Sequence, residues 1–170
     1  MIDVEEYKNL ARDSGAYGDI ELEILTEPLT AASRNPGDPF TMVEIRDGKI
    51  LAGFAIYSKA ANTDASYECI AFCVDRDYRD KGIGANLLKL LEDEILKLEK
   101  SPILRFEISS RKEEAMGGNL LADSGYSLIG HIPDFYEKGD DYYIYARHLE
   151  TGVPEGGAAE NPGEAEESAQ

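Results

Sequence analysis

The sequence predicts a mixed α+β domain in which helices pack on a single β-sheet. Two observations support this prediction. Leucine and isoleucine recur at helical spacing between Ile83 and Leu98, which indicates a long amphipathic helix. Apolar runs of strand length, Ser66–Val74 and Ile103–Ser109, lie directly before and after it. Strands that flank such a helix can cover its apolar face by forming one sheet.

Two further helices are predicted at the start of the chain. Val4–Ser14 carries its apolar residues on one helical face. We expect Asp19 to cap a second helix, which Pro28 should break or restart because proline lacks the N–H of the helical ladder.

A β-hairpin is predicted next. Phe40–Arg46 and Lys49–Tyr57 flank Asp47-Gly48, a pair that favours a two-residue type I′ turn. From Ile50 onward the second strand is apolar nearly throughout, which is typical of a central strand that is covered on both faces.

The C-terminal half predicts one more helix and two strands. Lys112–Ser124 has helical character, although its Gly117-Gly118 pair costs about 2 kcal/mol relative to alanine. Tyr126–Ile132 and Tyr142–Leu149 have strand character, and Pro133–Asp141 is expected to connect them.

Length and composition indicate one domain over residues 1–149 and an acidic, disordered tail over residues 150–170. The tail holds six Glu and no Lys or Arg, and it is nearly free of apolar side chains. The whole chain carries a net charge of −17, and removing six acids from the total of 34 leaves 28 against 17 bases in the body. This balance argues against a nucleic-acid partner. It suits a cationic or amine substrate, but solubility is the favoured explanation.

No apolar stretch is long enough to span a membrane, and the acidic N-terminus does not resemble a signal peptide. The two cysteines, Cys69 and Cys73, lie four residues apart on a predicted strand, so we expect them to point the same way into the core. Neither a metal site nor an acyl-cysteine is expected, and a reducing cytoplasm fits best.

An anion-binding turn is predicted at Tyr78–Ala85, which joins a buried strand to the long helix. Gly82 and Gly84 allow the backbone to approach a ligand closely, and the unpaired amides of the first helical turn would point at it. Arg79 and Lys81 add positive charge. These features favour the diphosphate of a nucleotide-type cofactor. Alternatively, the glycines only permit a tight turn between strand and helix.

The same residues carry a resemblance to a known family. Arg79-x-x-Gly82-x-Gly84 is similar to the signature of the GNAT superfamily of acyl-CoA-dependent N-acetyltransferases. Gly125-Tyr126 resembles the family's Gly-Phe at a helix end, and Phe106–Arg111 and Ile132–Tyr136 resemble segments of a bacterial and archaeal subgroup. The resemblance covers roughly residues 19–149. It implies one twisted, mostly antiparallel sheet of about six to seven strands, with helices on both faces and a splay at the cofactor strand.

The resemblance also implies a cosubstrate, acetyl-CoA, and the residues that bind it. Its pantetheine would pair with backbone groups at the end of the strand, and its diphosphate would lie on the amides of the turn. The expected binding residues are Phe72, Cys73, Val74, Arg79, Asp80, Lys81, Gly82, Ile83, Gly84 and Ala85.

Two glutamates are candidates for the general base that acyl transfer to an amine requires. Glu68 lies where histone-type relatives keep their base, and Glu107 lies where ribosomal-protein-type relatives keep theirs. Glu107 can instead pair with Arg105, and Glu68 can instead be solvated, so the choice stays open.

The general acid departs from the family pattern. Leu121 occupies the position where relatives carry a tyrosine, and Glu114 stands where an asparagine that contacts the cofactor is common. Tyr136 is the proposed substitute for the tyrosine.

The resemblance implies an N-acetyltransferase that moves an acetyl group to a primary amine of a small molecule, peptide or protein by direct attack through a tetrahedral intermediate. The alternative is an acyl-CoA-binding module with little or no catalysis, which the departures at Leu121 and Glu114 motivate. A nucleotide-phosphate-binding protein would need a P-loop or Rossmann glycine pattern, and neither occurs. No nucleic-acid or membrane partner is expected, and the sequence is compatible with a homodimer.

Overall fold

The computed structural model describes residues 2–151, which form five α-helices and six strands. The helices are α1 (Val4–Asp13), α2 (Asp19–Ala31), α3 (Ile83–Leu96), α4 (Ser110–Met116) and α5 (Leu120–Asp123). The strands are β1 (Thr41–Asp47), β2 (Ile50–Lys59), β3 (Ser66–Val74), β4 (Ile103–Ser109), β5 (Ser127–Glu137) and β6 (Asp140–His148). Residues 152–170, the greater part of the predicted tail, lie outside the described residues.

The six strands form one sheet in the order β1-β2-β3-β4-β6-β5. Neighbouring strands are antiparallel except for β3 and β4, which run parallel. This arrangement confirms the predicted α+β class with a single, mostly antiparallel sheet. The bounds of β3 and β4 are those expected from the apolar runs.

Helices cover both faces of the sheet and create two cores. On one face, the stripe Leu87, Leu88, Leu91 and Ile95 of α3 packs against the sheet. On the other face, α1 and α2 bury Leu22, Leu25 and Leu29 against β2, among other contacts. Strand β2 is buried from Leu51 to Ser58, as expected of a central strand that both layers cover.

Helix α2 continues through Pro28, so the prediction of a break there is wrong. Proline removes only one helical hydrogen bond, to the carbonyl of Ile24, and Ile24 is 68% exposed, so water can replace the missing N–H. The Pro28 ring is buried on the inner face of α2. The N-cap is Gly18 rather than Asp19, and its N–H donates to the Glu21 carboxylate over 2.9 Å.

The turn of the first hairpin is shifted by one residue from the prediction. Asp47 pairs with Ile50, so the two-residue turn is Gly48-Lys49. Of these two residues, only Gly48 has a positive φ, +59°. A type I′ turn needs positive φ at both positions, so this turn is not of that type.

Gly117 and Gly118 divide the helix that was predicted over residues 112–124. Both glycines are left-handed, with φ of +113° and +64°, and they end α4 before α5 begins. A left-handed residue directs the chain out of the helical path, so the pair terminates the helix instead of only weakening it.

Strand β5 runs to Glu137 through Pro133, where a connection was predicted. Proline is tolerated because β5 is the edge strand and because its pairing with β6 is irregular between Ile132 and Glu137. The result is a long β5–β6 hairpin that projects beyond the paired part of β4. No helix within residues 2–151 is both long and apolar enough to cross a membrane.

Candidate active site

Strands β3 and β4 pair over part of their length and then separate. Their parallel register joins Ser66–Cys69 to Ile103–Phe106. Beyond these pairs, β3 continues over 70–74 and β4 over 107–109 with no pairing between them. We call the gap between these two unpaired segments the splay.

A β-bulge at Ile70 marks the start of the splay. The neighbouring β2 residues Tyr57 and Ile56 pair with Cys69 and Ala71, so Ile70 is opposed by no residue of β2, and the pairing of β3 with β4 has already ended at Cys69. Ile70 therefore has no paired residue on β2 or β4, which makes its backbone a candidate contact for a ligand in the splay.

The same bulge overturns the prediction that the two cysteines point the same way. One extra residue reverses the alternation of side chains, so Cys69 packs against the α3 core and Cys73 lies in the α1–α2 core. Burial raises the pKa of both thiols, that of Cys73 to about 12. Neither cysteine is therefore a thiolate at neutral pH.

A small cavity of about 20 Å³ lies in the splay, large enough for one water molecule. Its lining consists of Tyr17, Cys69, Ile70, Ala71, Phe72, Phe106, Glu107, Ile108, Lys112 and Met116. Glu107 is the only carboxylate in this lining. Its side chain is 44% exposed and lies 3.5 Å from Arg105 Nε. Burial, together with a hydrogen bond to the Glu107 carboxylate, raises the pKa of Tyr142.

Glu68 occupies a different position. It lies in the paired part of β3, opposite Arg105, and accepts a hydrogen bond from Arg105 Nη2 over 2.7 Å. Ser58 Oγ donates to its other oxygen over 3.3 Å. Of the two predicted candidates for a base, the structure places Glu107 in the splay cavity and Glu68 outside it.

A groove of about 270 Å³ opens from the splay towards the surface, between α2 and the β5–β6 hairpin. We call it the α2 groove. It is lined by Tyr17, Glu21, Ile24, Leu25, Pro28, Ile70, Lys112 and Tyr136. Tyr17, Ile70 and Lys112 line both the splay cavity and the groove, so the two spaces adjoin each other. Tyr136, the predicted substitute acid, lines the groove but not the cavity.

The hairpin that carries Tyr136 is fixed to α4 by a buried carboxylate. Asp140 is 3% exposed and accepts hydrogen bonds from the backbone N–H and the Nε of Arg111, over 3.3 and 3.1 Å. The N–H of Asp141 also donates to Ser110 Oγ over 2.9 Å. These contacts hold one wall of the groove in place.

The predicted anion-binding turn, Tyr78–Ala85, starts where a short 3-10 turn, Arg76–Tyr78, ends, and it extends into the first residues of α3. Asp80 and Gly82 are left-handed, with φ of +59° and +78°. Such alternation directs successive backbone N–H groups to one side, which favours an anion. Gly82 is the N-cap of α3 but supplies no side-chain acceptor, and the first turn has no acidic residue. The N–H groups of Ile83, Gly84 and Ala85 therefore have no helical partner.

Three arginines converge beside this turn. Arg76, Arg79 and Arg111, with Glu114, line a second space of about 270 Å³ at the edge of α4. Arg79 Nη2 donates to the carbonyl of Ser14 over 2.6 Å, while its buried Nε has no hydrogen-bond partner among residues 2–151. Lys81 does not join them; its Nζ lies 5.2 Å from the ring centroid of Tyr78. A buried unpaired donor, free helix N–H groups and clustered cations fit the phosphates of acetyl-CoA.

Sequence reasoning missed Tyr17 and Lys112, which occupy the junction of the splay and the α2 groove. Lys112 Nζ lies 2.7 Å from a Glu21 oxygen and 4.6 Å from the centroid of the Tyr17 ring. Burial raises the pKa of Tyr17 well above its ordinary value. Neither residue belongs to a recognisable motif, because the loop before α2 meets the start of α4 only in the folded chain.

Residues 5–116 of the sequence match the acetyltransferase (GNAT) family, and the chain therefore belongs to this family. A comparison with curated protein sequences found no match. Many solved structures share the fold.

Three of these structures illustrate the likeness. A GNAT-family protein from Desulfovibrio desulfuricans is 19% identical with a TM-score of 0.73, covering 86% of this chain and 92% of its own. The ribosomal-protein-S18-alanine N-acetyltransferase of Escherichia coli is 18% identical with a TM-score of 0.68, covering 90% and 92%. An aminoglycoside 6′-N-acetyltransferase complexed with coenzyme A is 15% identical with a TM-score of 0.66, covering 88% and 92%. At these identities the likeness establishes the fold.

Proposed function

We propose that this protein transfers an acetyl group from acetyl-CoA to a primary amine at the splay between β3 and β4. The observation that supports this most strongly is the position of Glu107. Its carboxylate lines the splay cavity, which adjoins an open groove on one side, while a helix start with free N–H groups follows the end of β3. The two similar enzymes named above act on an aminoglycoside and on the alanine of a ribosomal protein, and both of these acceptors carry an amine.

The cosubstrate supplies an acyl group that its thioester activates. We assign its diphosphate to the N–H groups of Ile83, Gly84 and Ala85, where the helix dipole and nearby arginines stabilise negative charge. The segment Phe72–Val74 faces no residue of β4, so its backbone can pair with the pantetheine amides as with an added strand.

Glu107 is the proposed general base. An ammonium group must lose a proton before its nitrogen can attack, and Glu107 can accept this proton directly or through one water in the splay cavity. The backbone N–H of Ile70, which has no strand partner, is the proposed donor to the oxygen that becomes negative during attack.

A tyrosine is the proposed donor to the departing thiolate. Tyr136 lies in the α2 groove, whereas Tyr17 lines both the groove and the splay cavity. Tyr17 also approaches the backbone of Phe72, where the pantetheine is expected to end. Burial raises the pKa of both phenols, so both remain protonated donors at neutral pH.

The proposal is tested by measuring free CoA thiol released from acetyl-CoA in the presence of a panel of primary amines. We expect release that depends on the amine, together with an N-acetylated product detected by mass spectrometry. Tight binding of CoA with no turnover on any amine would instead support the alternative, an acyl-CoA-binding module without catalysis.

A further inference from the structure

The walls of the α2 groove are mostly apolar. Ile24 and Tyr136 face it from opposite sides and remain 68% and 48% exposed, although each carries a large hydrophobic surface. Leu25 and Pro28 form the wall between α2 and the sheet. Exposed apolar side chains that face each other across a groove favour an apolar ligand group between them.

The charged groups that line the groove largely neutralise each other. Glu21 and Lys112 are the only ionised side chains in its lining, and they are 2.7 Å apart. A ligand that carries several positive charges would find no excess of carboxylates along these walls. The groove therefore selects for shape and apolar area more than for charge.

The volume of the groove also restricts its ligand. About 270 Å³ lies just below the range of roughly 300–1,000 Å³ that is typical of pockets for drug-sized molecules. A space of this size can enclose one ring or one branched side chain, and the remainder of a larger ligand would extend outside it.

The connection to the splay places the two ends of the ligand. Because Ile70 and Tyr17 line both spaces, an amine nitrogen next to Glu107 would direct its carbon substituent into the groove. Burial, with further contributions from the carboxylates of Glu21, Asp140 and Glu107, raises the pKa of Tyr136, so its phenol stays neutral beside the ligand.

We infer that the acceptor is a primary amine with one bulky apolar substituent, which binds between Ile24 and Tyr136 while the nitrogen reaches Glu107. This inference rests on the proposed function. Two kinds of molecule share this chemistry: a free aryl-alkyl or branched alkyl amine, and a peptide whose first residue has an apolar side chain.

The test compares kcat/KM for acceptors that differ in their apolar substituent. Phenethylamine and isoamylamine are compared with ethanolamine and kanamycin, and a short peptide that begins with Phe is compared with the same peptide beginning with Ser. In whichever set the enzyme accepts, amines or peptides, we expect kcat/KM for the apolar acceptor to be at least about tenfold higher than for its polar counterpart. Burying one or two methylene groups has an effect of this size.

A matched pair of variants locates the effect. Ile24→Asn places a polar group in the groove wall, whereas Ile20→Asn makes the same change one helical turn away, at a residue that is 79% exposed and does not line the groove. We expect Ile24→Asn to lower the preference for phenethylamine over ethanolamine about tenfold. Ile20→Asn should leave it unchanged, and neither variant should alter CoA affinity.

Each outcome decides a separate question. Turnover of phenethylamine but not of the Phe peptide identifies a free amine as the acceptor, the reverse identifies a peptide N-terminus, and either supports the inference. Equal or better use of ethanolamine or kanamycin overturns the inference but leaves the proposed function intact. An equal loss in both variants also overturns it. No turnover on any amine overturns the proposed function, and the inference with it.

Discussion

At the scale of single residues, the anion-binding turn depends on the backbone of Gly82. A Cβ at this position would meet no atom within 4 Å, so space does not exclude a side chain. The φ of +78° is what restricts the residue, because only glycine, asparagine and aspartate adopt it at modest cost. Asparagine and aspartate at position 82 are therefore two variants with nearly the same shape and different charge.

We predict that Gly82→Asp lowers the affinity for CoA much more than Gly82→Asn does. Both side chains tolerate the left-handed conformation, but only aspartate adds a negative charge beside the N–H groups that would hold the diphosphate. Isothermal titration calorimetry with CoA should show a difference of at least about tenfold, as expected for a charge placed at a helix N-terminus that binds an anion. Equal affinities for the two variants would rule out the diphosphate at this turn.

The choice between the two glutamates can also be made with single residues. We predict that Glu107→Gln lowers kcat by roughly 100-fold or more, since a general base contributes about that much, and flattens the acid side of the pH–rate profile. Glu68→Gln should have a much smaller effect, because Glu68 is engaged with Arg105 outside the splay cavity. CoA affinity should not change in either variant. A larger loss for Glu68→Gln would place the base on β3.

The turn could be predicted from the sequence because its chemistry is local. Two glycines and two cations between a strand and a helix are visible in eight consecutive residues, Tyr78–Ala85. Lys81 shows the limit of prediction from local sequence. It lies within the turn, but its side chain is directed over the Tyr78 ring and does not join the arginines. Tyr17 and Lys112 could not be predicted because they are distant in sequence and meet only through tertiary packing.

At the scale of secondary-structure elements, strands were easier to predict than the irregularities within them. Apolar runs of strand length gave the bounds of β3 and β4, but a one-residue bulge leaves no mark in such a run until the pairing partner is known. The orientation of Cys69 relative to Cys73 was wrong for this reason. The bulge is also the feature that leaves Ile70 without a paired residue on either neighbouring strand.

Helix α1 is attached to β1 by a network of ionised groups around Arg46. Arg46 lies 2.8 Å from Glu6 and 3.1 Å from Glu44, and the Tyr7 hydroxyl donates to Glu44. The hydrogen bond from Arg46 lowers the pKa of Glu6. Although burial raises the pKa of Glu44, hydrogen bonds from Tyr7, Arg34 and Arg46 outweigh it and lower the pKa overall. Carboxylates whose pKa is lowered by folding stabilise the fold when ionised.

We predict that Arg46→Met lowers the Tm at neutral pH by several degrees, as is usual for a loss of about 1 kcal/mol in a domain of this size. This loss should persist above the ordinary carboxyl pKa of about 4.3 and shrink as the pH falls through the lowered pKa values, because protonated carboxyls no longer need the guanidinium. Arg12→Met is the control, since the guanidinium of Arg12, on the same helix, hydrogen-bonds within residues 2–151 only to the neutral Asn9 side chain. Thermal scans between neutral and acidic pH would contradict this if the Tm difference for Arg46→Met were independent of pH.

At the scale of the whole molecule, the fold class and the single sheet could be predicted, whereas the α2 groove could not. The groove needs α2 to remain helical past Pro28 and the β5–β6 hairpin to project as far as Tyr136. Sequence patterns predicted a break in the first element and a connection in the second. Both errors come from reading proline as an interruption where an exposed carbonyl or an edge strand accommodates it.

The most direct test of acetyl transfer at the splay is a crystal structure of the protein with acetyl-CoA. We expect the diphosphate within hydrogen-bond distance of the Ile83–Ala85 N–H groups, the pantetheine along Phe72–Val74, and the thioester carbonyl next to Ile70 with Glu107 facing it. A diphosphate bound away from the start of α3, or a thioester that does not reach the gap between β3 and β4, would contradict this assignment.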